Sequence, residues 1–255
     1  MTPNTKKQIS DLKIDPKLPV MIFDADEVLV HFAEPFAIYL KKHAHRLHLT
    51  GYRLDNAIKK AKTDEVATPD TAKDLVWGFI NEETKIQPAA KGAPQALEKL
   101  QEYAQIIILS NVPYSVHNDR VANLKDLNMD YPLISNEGMK GPAVKEILKN
   151  HKAQSFFIDD NPYQVESVYN DNKQTVCVHF SVCDLVKPYM PKAVGASMEP
   201  TSWEDLVSQL INCLKDEKRK LTVLSSIKMA LYLISKDHGQ SGQKYLLRNL
   251  VKNTI

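Results

Sequence analysis

Residues 20–30 read Val-Met-Ile-Phe-Asp-Ala-Asp-Glu-Val-Leu-Val, so two aspartates one residue apart stand directly behind an apolar run. Val20 to Phe23 has the length and composition of a buried strand. Asp24 and Asp26 then sit where that strand leaves its sheet. A buried strand has no structural use for two carboxylates at its end, because burying a charge is costly unless it is paired or bound to metal. The carboxyl edge of a parallel strand is also where open α/β sheets hold their ligands. The pair therefore points to chemistry at the edge of an α/β sheet.

Its partners follow in order. A second apolar run, Ile106 to Leu109, ends in Ser110-Asn111. Lys140 follows in Gly138-Met139-Lys140-Gly141-Pro142-Ala143-Val144, and a third run, Phe156 to Ile158, ends in Asp159-Asp160-Asn161. Singly, each is ordinary. Asp160-Asn161-Pro162 fits a helix cap, Ser110-Asn111-Val112-Pro113 fits a turn, and a lone lysine fits a surface. Together, across roughly residues 18–180, they resemble the haloacid dehalogenase-like (HAD) hydrolase superfamily. Its four motifs are Asp-x-Asp-x-Thr/Val after a strand, a strand ending in Ser or Thr, a Lys at a helix start, and a strand ending in an acidic pair. Asp24-Ala25-Asp26-Glu27-Val28 fits the first, with Glu27 in place of the commoner Gly.

The resemblance implies phosphoryl transfer, which needs a nucleophile, a proton carrier and positive charge around the phosphoryl oxygens. Asp24 is the candidate nucleophile, forming an acyl-phosphate that water later opens. Asp26 is the candidate general acid and base. Ser110, Asn111 and Lys140 are the candidate phosphate-binding groups. Several carboxylates beside a phosphate call for a cation, and Mg²⁺ suits oxygen ligands. The resemblance assigns its ligands as Asp24, the backbone carbonyl of Asp26, and an acid of the fourth motif. Asp160 is the favoured direct ligand, with Asp159 supporting it or taking its place.

The rest of the chain alternates strands and helices, which implies a Rossmann-like parallel sheet with helices on both faces. Expected strands are 20–24, 105–109, 133–134, 155–158 and 175–179. Expected helices are 92–103, 115–127, 141–150 and 162–170. Residues 1–17 are polar with Pro3 and Pro16, and are expected to be a loosely ordered arm. Residues 34–85 read as a helical cap inserted between the first two motifs, with helices near 36–44, 54–62 and after the Thr68-Pro69 start signal. A helical lid excludes water and selects small substrates, so a small phosphorylated metabolite is expected, chosen by cap side chains such as Phe36, Tyr39 or Trp77. His43 and His45 lie about 200° apart on a helix, which speaks against a metal site among His43, His45 and His48. His31 and His117 follow the first and second motifs and could touch substrate.

Residues 86–214 complete the core, and 215–255 form a basic helical tail. From Lys215 onward nine Lys or Arg stand against three Asp or Glu, in a chain whose net charge is +2. The expected role is packing on the domain or, as a homo-oligomer, on a second copy, rather than contact with nucleic acid or an anionic membrane. Three cysteines, Cys177, Cys183 and Cys213, have no metal-type spacing, and their odd number fits a reducing compartment. No apolar run reaches the ~18 residues of a membrane span and the first residues lack an apolar signal core, so a cytoplasmic protein is expected. The leading function is a Mg²⁺-dependent phosphatase. A phosphomutase, a haloacid dehalogenase, which lacks the second aspartate and uses no metal, and a non-catalytic binding protein working through the basic tail are the alternatives. No Gly-x-Gly-x-x-Gly or Walker sequence occurs, which disfavours other nucleotide-binding α/β families.

Overall fold

The computed structural model describes residues 1–237 apart from Arg53 and Asp55. The chain opens with α1 (Pro3–Asp11), followed by β1 (Val20–Phe23), whose four side chains are wholly buried. Next come α2 (Ala33–Lys42), β2 (His45–Leu47), β3 (Ile58–Lys60) and α3 (Pro69–Glu83). Then α4 (Ala93–Leu100), β4 (Gln105–Ser110), α5 (His117–Asp126), β5 (Leu133–Ser135), α6 (Gly141–Ile147), β6 (Ser155–Asp159), α7 (Pro162–Asp171) and β7 (Val176–His179) alternate. The last element is α8 (Trp203–Asp237).

The main sheet has the order β5-β4-β1-β6-β7, and every pairing is parallel. Both faces are covered. On one, Val20, Ile22, Ile107, Leu109 and Phe157 pack with Val144 of α6 and Val165 and Val168 of α7. On the other, Phe23 meets Trp203 at the start of α8, with ring centroids 6.0 Å apart. The strands are therefore near-continuous apolar runs, as sheets buried on both faces require. Strand β1 lies between β4 and β6, where the strand order reverses. The carboxyl end of β1 is thus the switch-point crevice of an open α/β sheet.

The inserted segment carries helices, as expected, but also a hairpin that was not. The helix expected near 54–62 is absent from the described residues 56–62, because β3 pairs antiparallel with β2, placing Ile58 opposite Leu47 and Lys60 opposite His45. Helices α2 and α3 pack on this hairpin around Phe36, Tyr39, Leu40, Ile58 and Phe79. The reading failed because the two strands have three residues each, too few for alternation to show. The start signal at Thr68 does hold, since its hydroxyl accepts from Thr71 N–H and Pro69 opens α3.

The N-terminal arm is also ordered. Thr2 caps α1, with Pro3 in its first turn. Thr5 is buried and donates to Ser135 O at 2.9 Å. Gln8 Oε1 accepts from Ser135 N–H at 2.9 Å, while its Nε2 donates to Ser135 O at 3.3 Å. Side chains of α1 thus cover the open edge of β5 at Ser135. The chain divides into two compact units, residues 1–209 and 210–255. In the second, the described residues continue α8 as a helix to Asp237, and Val223, Leu224 and Met229 are exposed on it. The rest of the expected basic tail lies outside the described residues. No described helix is long and apolar enough to cross a membrane.

Candidate active site

The ladder of the sheet carries Asp24 into place. Its N–H donates to Ile158 O at 2.8 Å, one residue beyond β1, which fixes its backbone beside the end of β6. Asp24 and Asp159 are buried, and Lys140 joins them. The Lys140 ammonium forms an ion pair with Asp24 Oδ1 and lies 2.7 Å from Asp159 Oδ2. The lysine is 2% exposed. Burial alone pulls its pKa down, but the two carboxylates outweigh that and hold it above the ordinary lysine value. Its backbone N–H donates to Gln164 Oε1 at 2.8 Å, so α7 helps hold the lysine.

Asp24, Asp159 and Asp160 each offer a carboxylate oxygen, and the three atoms lie within 4.8 Å of one another. Asp159 is already engaged on both oxygens, since Oδ1 accepts from Asn161 N–H at 2.8 Å. Asp160 is half-buried and lines the open cavity. Burial drives the pKa of Asp24 up to about 7, with Lys140 opposing and Asp159 and Asp26 reinforcing. Burial, and then the neighbouring Asp159 and Asp24, push Asp160 well above the usual carboxylate range. Three carboxylates against one ammonium leave excess negative charge in a desolvated site. This all-oxygen donor set fits a hard divalent cation.

Asp26 is held by groups that the sequence did not betray. Arg120 Nη2 donates to Asp26 Oδ1 at 2.8 Å and to Gln87 Oε1 at 2.6 Å, while Nη1 donates to Asn123 Oδ1 at 3.0 Å. Gln87 Nε2 adds a contact to Asp26 Oδ1 at 3.3 Å and donates to His31 O at 2.8 Å. Arg120 is 1% exposed. In sequence, His117-Asn118-Asp119-Arg120 reads as the polar side of a helix, and only the fold shows that Arg120 points inward. Glu27 lies just behind Asp26 at φ +59°, the left-handed backbone that Gly would favour.

The remaining expected residues divide. Asn111 lines the cavity, and its side chain donates to Gly138 O and accepts from Asn136 Nδ2. Ser110 is fully buried, and its hydroxyl accepts from Val112 N–H at 3.1 Å. It is not among the residues lining the cavity, and neither is His31 or His117. His117 Nδ1 lies 2.8 Å from Ser135 Oγ.

The cavity has a volume of about 670 Å³. The cap supplies part of its wall. Phe36 lines it, as expected. Tyr39 does not, since it packs against Phe79 in the cap core, and Trp77 stands exposed on α3. Tyr52, missed in the sequence, pairs with Tyr163 of α7 at 6.3 Å between ring centroids. Its hydroxyl pKa is raised by burial and by Asp160, Asp159 and Asp24.

No family model matches the sequence, and no curated protein matches it. Solved structures do. A candidate beta-phosphoglucomutase from Thermotoga maritima aligns over 76% of this chain and 99% of its own, at 15% identity and a TM-score of 0.52. A haloacid dehalogenase-like hydrolase from Streptococcus pneumoniae aligns over 76% and 98%, at 13% identity and a TM-score of 0.51. L-2-haloacid dehalogenase from Xanthobacter autotrophicus aligns over 76% and 98%, at 13% identity and 0.50. With the parallel sheet and the Asp24 crevice, these likenesses show that the chain has the haloacid dehalogenase-like fold.

Proposed function

We propose that this chain is a Mg²⁺-dependent phosphohydrolase of a small phosphate monoester, working through a phosphorylated Asp24. The observation that carries this reading is the cluster of Asp24, Asp159 and Asp160 within 4.8 Å, with Lys140 bridging two of them. Asp24 and Asp160, with the carbonyl of Asp26, would hold the cation. Asp159 supports the site by fixing Lys140 and the turn at Asn161. When bound, Mg²⁺ supplies charge neutralisation and Lewis-acid polarisation of a phosphoryl oxygen.

The protein groups divide the remaining work. Lys140 holds one oxygen of Asp24, which leaves the other free to attack phosphorus. The phosphorus–ester oxygen bond breaks as the Asp24–phosphorus bond forms, and Asp26 gives its proton to the departing alcohol. Asp26 then takes a proton from water, whose oxygen attacks phosphorus. Inorganic phosphate leaves, and the Asp24 carboxylate is restored. Lys140 favours the negative charge of the transferring group. A haloacid dehalogenase would need neither Asp26 nor a cation.

The test is phosphate release from small monoesters with Mg²⁺ and with chelator, beside Asp24→Asn. Turnover that needs Mg²⁺ and is lost in Asp24→Asn supports the reading. Metal-independent turnover, or turnover that survives Asp24→Asn, overturns it.

A further inference from the structure

The cavity has two unlike walls. Asp24, Asp26, Asn111, Lys140 and Asp160 make one wall polar and charged. The cap wall is mostly apolar, formed by Phe32, Phe36, Leu47, Leu49, Leu54 and Ile80, with Tyr52 and Thr84 as its hydroxyl-bearing members. Leu49 and Leu54 do not belong to the cap's own hydrophobic core, which is built on Phe36, Tyr39, Leu40, Ile58 and Phe79. Leu54 is 42% exposed. Packing of the cap therefore does not account for two leucines facing the site. Val112, Pro113 and Val186 extend the apolar surface from the core side.

We infer that the substrate is a phosphate monoester of an apolar alcohol, whose phosphoryl group meets the Asp24 wall and whose hydrocarbon part lies against the cap leucines. This rests on the phosphohydrolase reading and names its substrate class. A hydroxyl-rich sugar placed against that wall would leave most of its hydroxyls unpaired, which is costly in a desolvated pocket. A hydrocarbon placed there gains from removal of apolar surface from water. The volume of about 670 Å³ holds a ligand well beyond the phosphoryl group itself. The paired rings of Tyr52 and Tyr163 add aromatic surface to the cavity lining.

The test is a homologous series of propyl, butyl, pentyl and hexyl phosphate, with glucose 6-phosphate and glycerol 3-phosphate for comparison. Both turnover and binding to Asp24→Asn by calorimetry are measured. The expected result is a rise in kcat/KM of about fourfold per methylene until the cavity fills. The two polyol phosphates should fall at least tenfold below the hexyl ester. Leu49→Asn, checked for folding by its melting curve, should flatten the chain-length slope. A flat slope in the native protein, or preference for the polyol phosphates, overturns the inference. Binding to Asp24→Asn that rises with chain length, without turnover by the native protein, would keep the ligand class and overturn the phosphohydrolase reading. Neither turnover nor chain-length-dependent binding would overturn both.

Discussion

Arg120 matters most among the residues that only the fold reveals. Its guanidinium ties Asp26, Gln87 and Asn123 together inside the protein, so it is a positioning residue for the proposed acid and base. Arg120→Ala should lower kcat/KM for alkyl phosphates by about 10²-fold, the scale of a misplaced catalytic group. Esters with acidic leaving groups, such as p-nitrophenyl phosphate, should lose much less, because they depart without a proton. A merely structural role would reduce both equally, so the ratio of the two substrates is the measurement. Arg120→Lys keeps the charge without the planar fork and should recover only part of the loss. The acidic residues, by contrast, were legible in sequence, because a carboxylate behind a buried strand has few innocent explanations. An arginine on a polar helix has many. Burial also marks the cysteines, with the pKa of Cys177 and of Cys183 pushed up to about 12. The folded protein then keeps thiol protons that the unfolded chain gives up near pH 9. The stability these thiols contribute is full below pH 9 and falls as pH rises toward 12. Alkylation at pH 8.5 should accordingly be slow at Cys177 and Cys183 in native protein and fast in urea, as peptide mapping by mass spectrometry would show.

At the scale of elements, the entry to the cap depends on Glu27. Its carboxylate accepts from Phe32 N–H at 3.0 Å and from Ala33 N–H, capping the start of α2 across the left-handed turn. Gly would ease the backbone there but offers no cap, which explains why Glu can stand in the commoner glycine position. Glu27→Ala keeps the backbone cost and loses the cap, and should destabilise by about 1–2 kcal/mol in urea unfolding. Glu27→Gly should cost less than Glu27→Ala, and the reverse order would show that the cap is not what the residue provides. Helix α1 has a comparable task at the edge of β5. Gln8→Ala leaves the buried N–H of Ser135 without its partner and should cost about 1–3 kcal/mol. The start signal of α1, Thr2-Pro3, is the same one that correctly marked α3 at Thr68-Pro69. The segment behind it is polar, and polarity alone cannot show that one glutamine will meet a strand edge. The β2–β3 hairpin was hidden for a different reason, since three-residue strands leave no periodicity to read.

At the scale of the molecule, the sheet order gathers the negative charge at one crevice. Strand β1 sits between β4 and β6, so Asp24 and the Asp159-Asp160 pair are adjacent by topology before any side chain is placed. The parallel sheet was legible from the alternation of strands and helices, whereas the neighbouring of β1 and β6 was not. The consequence of that adjacency is a site under electrostatic stress in the metal-free protein. Asp160 binds its proton more tightly in the folded state than in the unfolded chain. Its contribution therefore lowers stability progressively as pH rises above the ordinary Asp range. Two opposite effects on the melting temperature should follow. At pH 7.5 without metal, Asp160→Asn should melt above the native protein, because a like charge beside Asp24 and Asp159 has been removed. With Mg²⁺ at a hundredfold excess over its Kd, the native protein should gain about 2.7 kcal/mol, while Asp160→Asn should gain little. The order of the two melting curves would then close or reverse on adding the cation. An equal Mg²⁺ shift in both proteins would place the cation elsewhere, and a lower metal-free melting temperature for Asp160→Asn would mean that Lys140 alone balances the crevice.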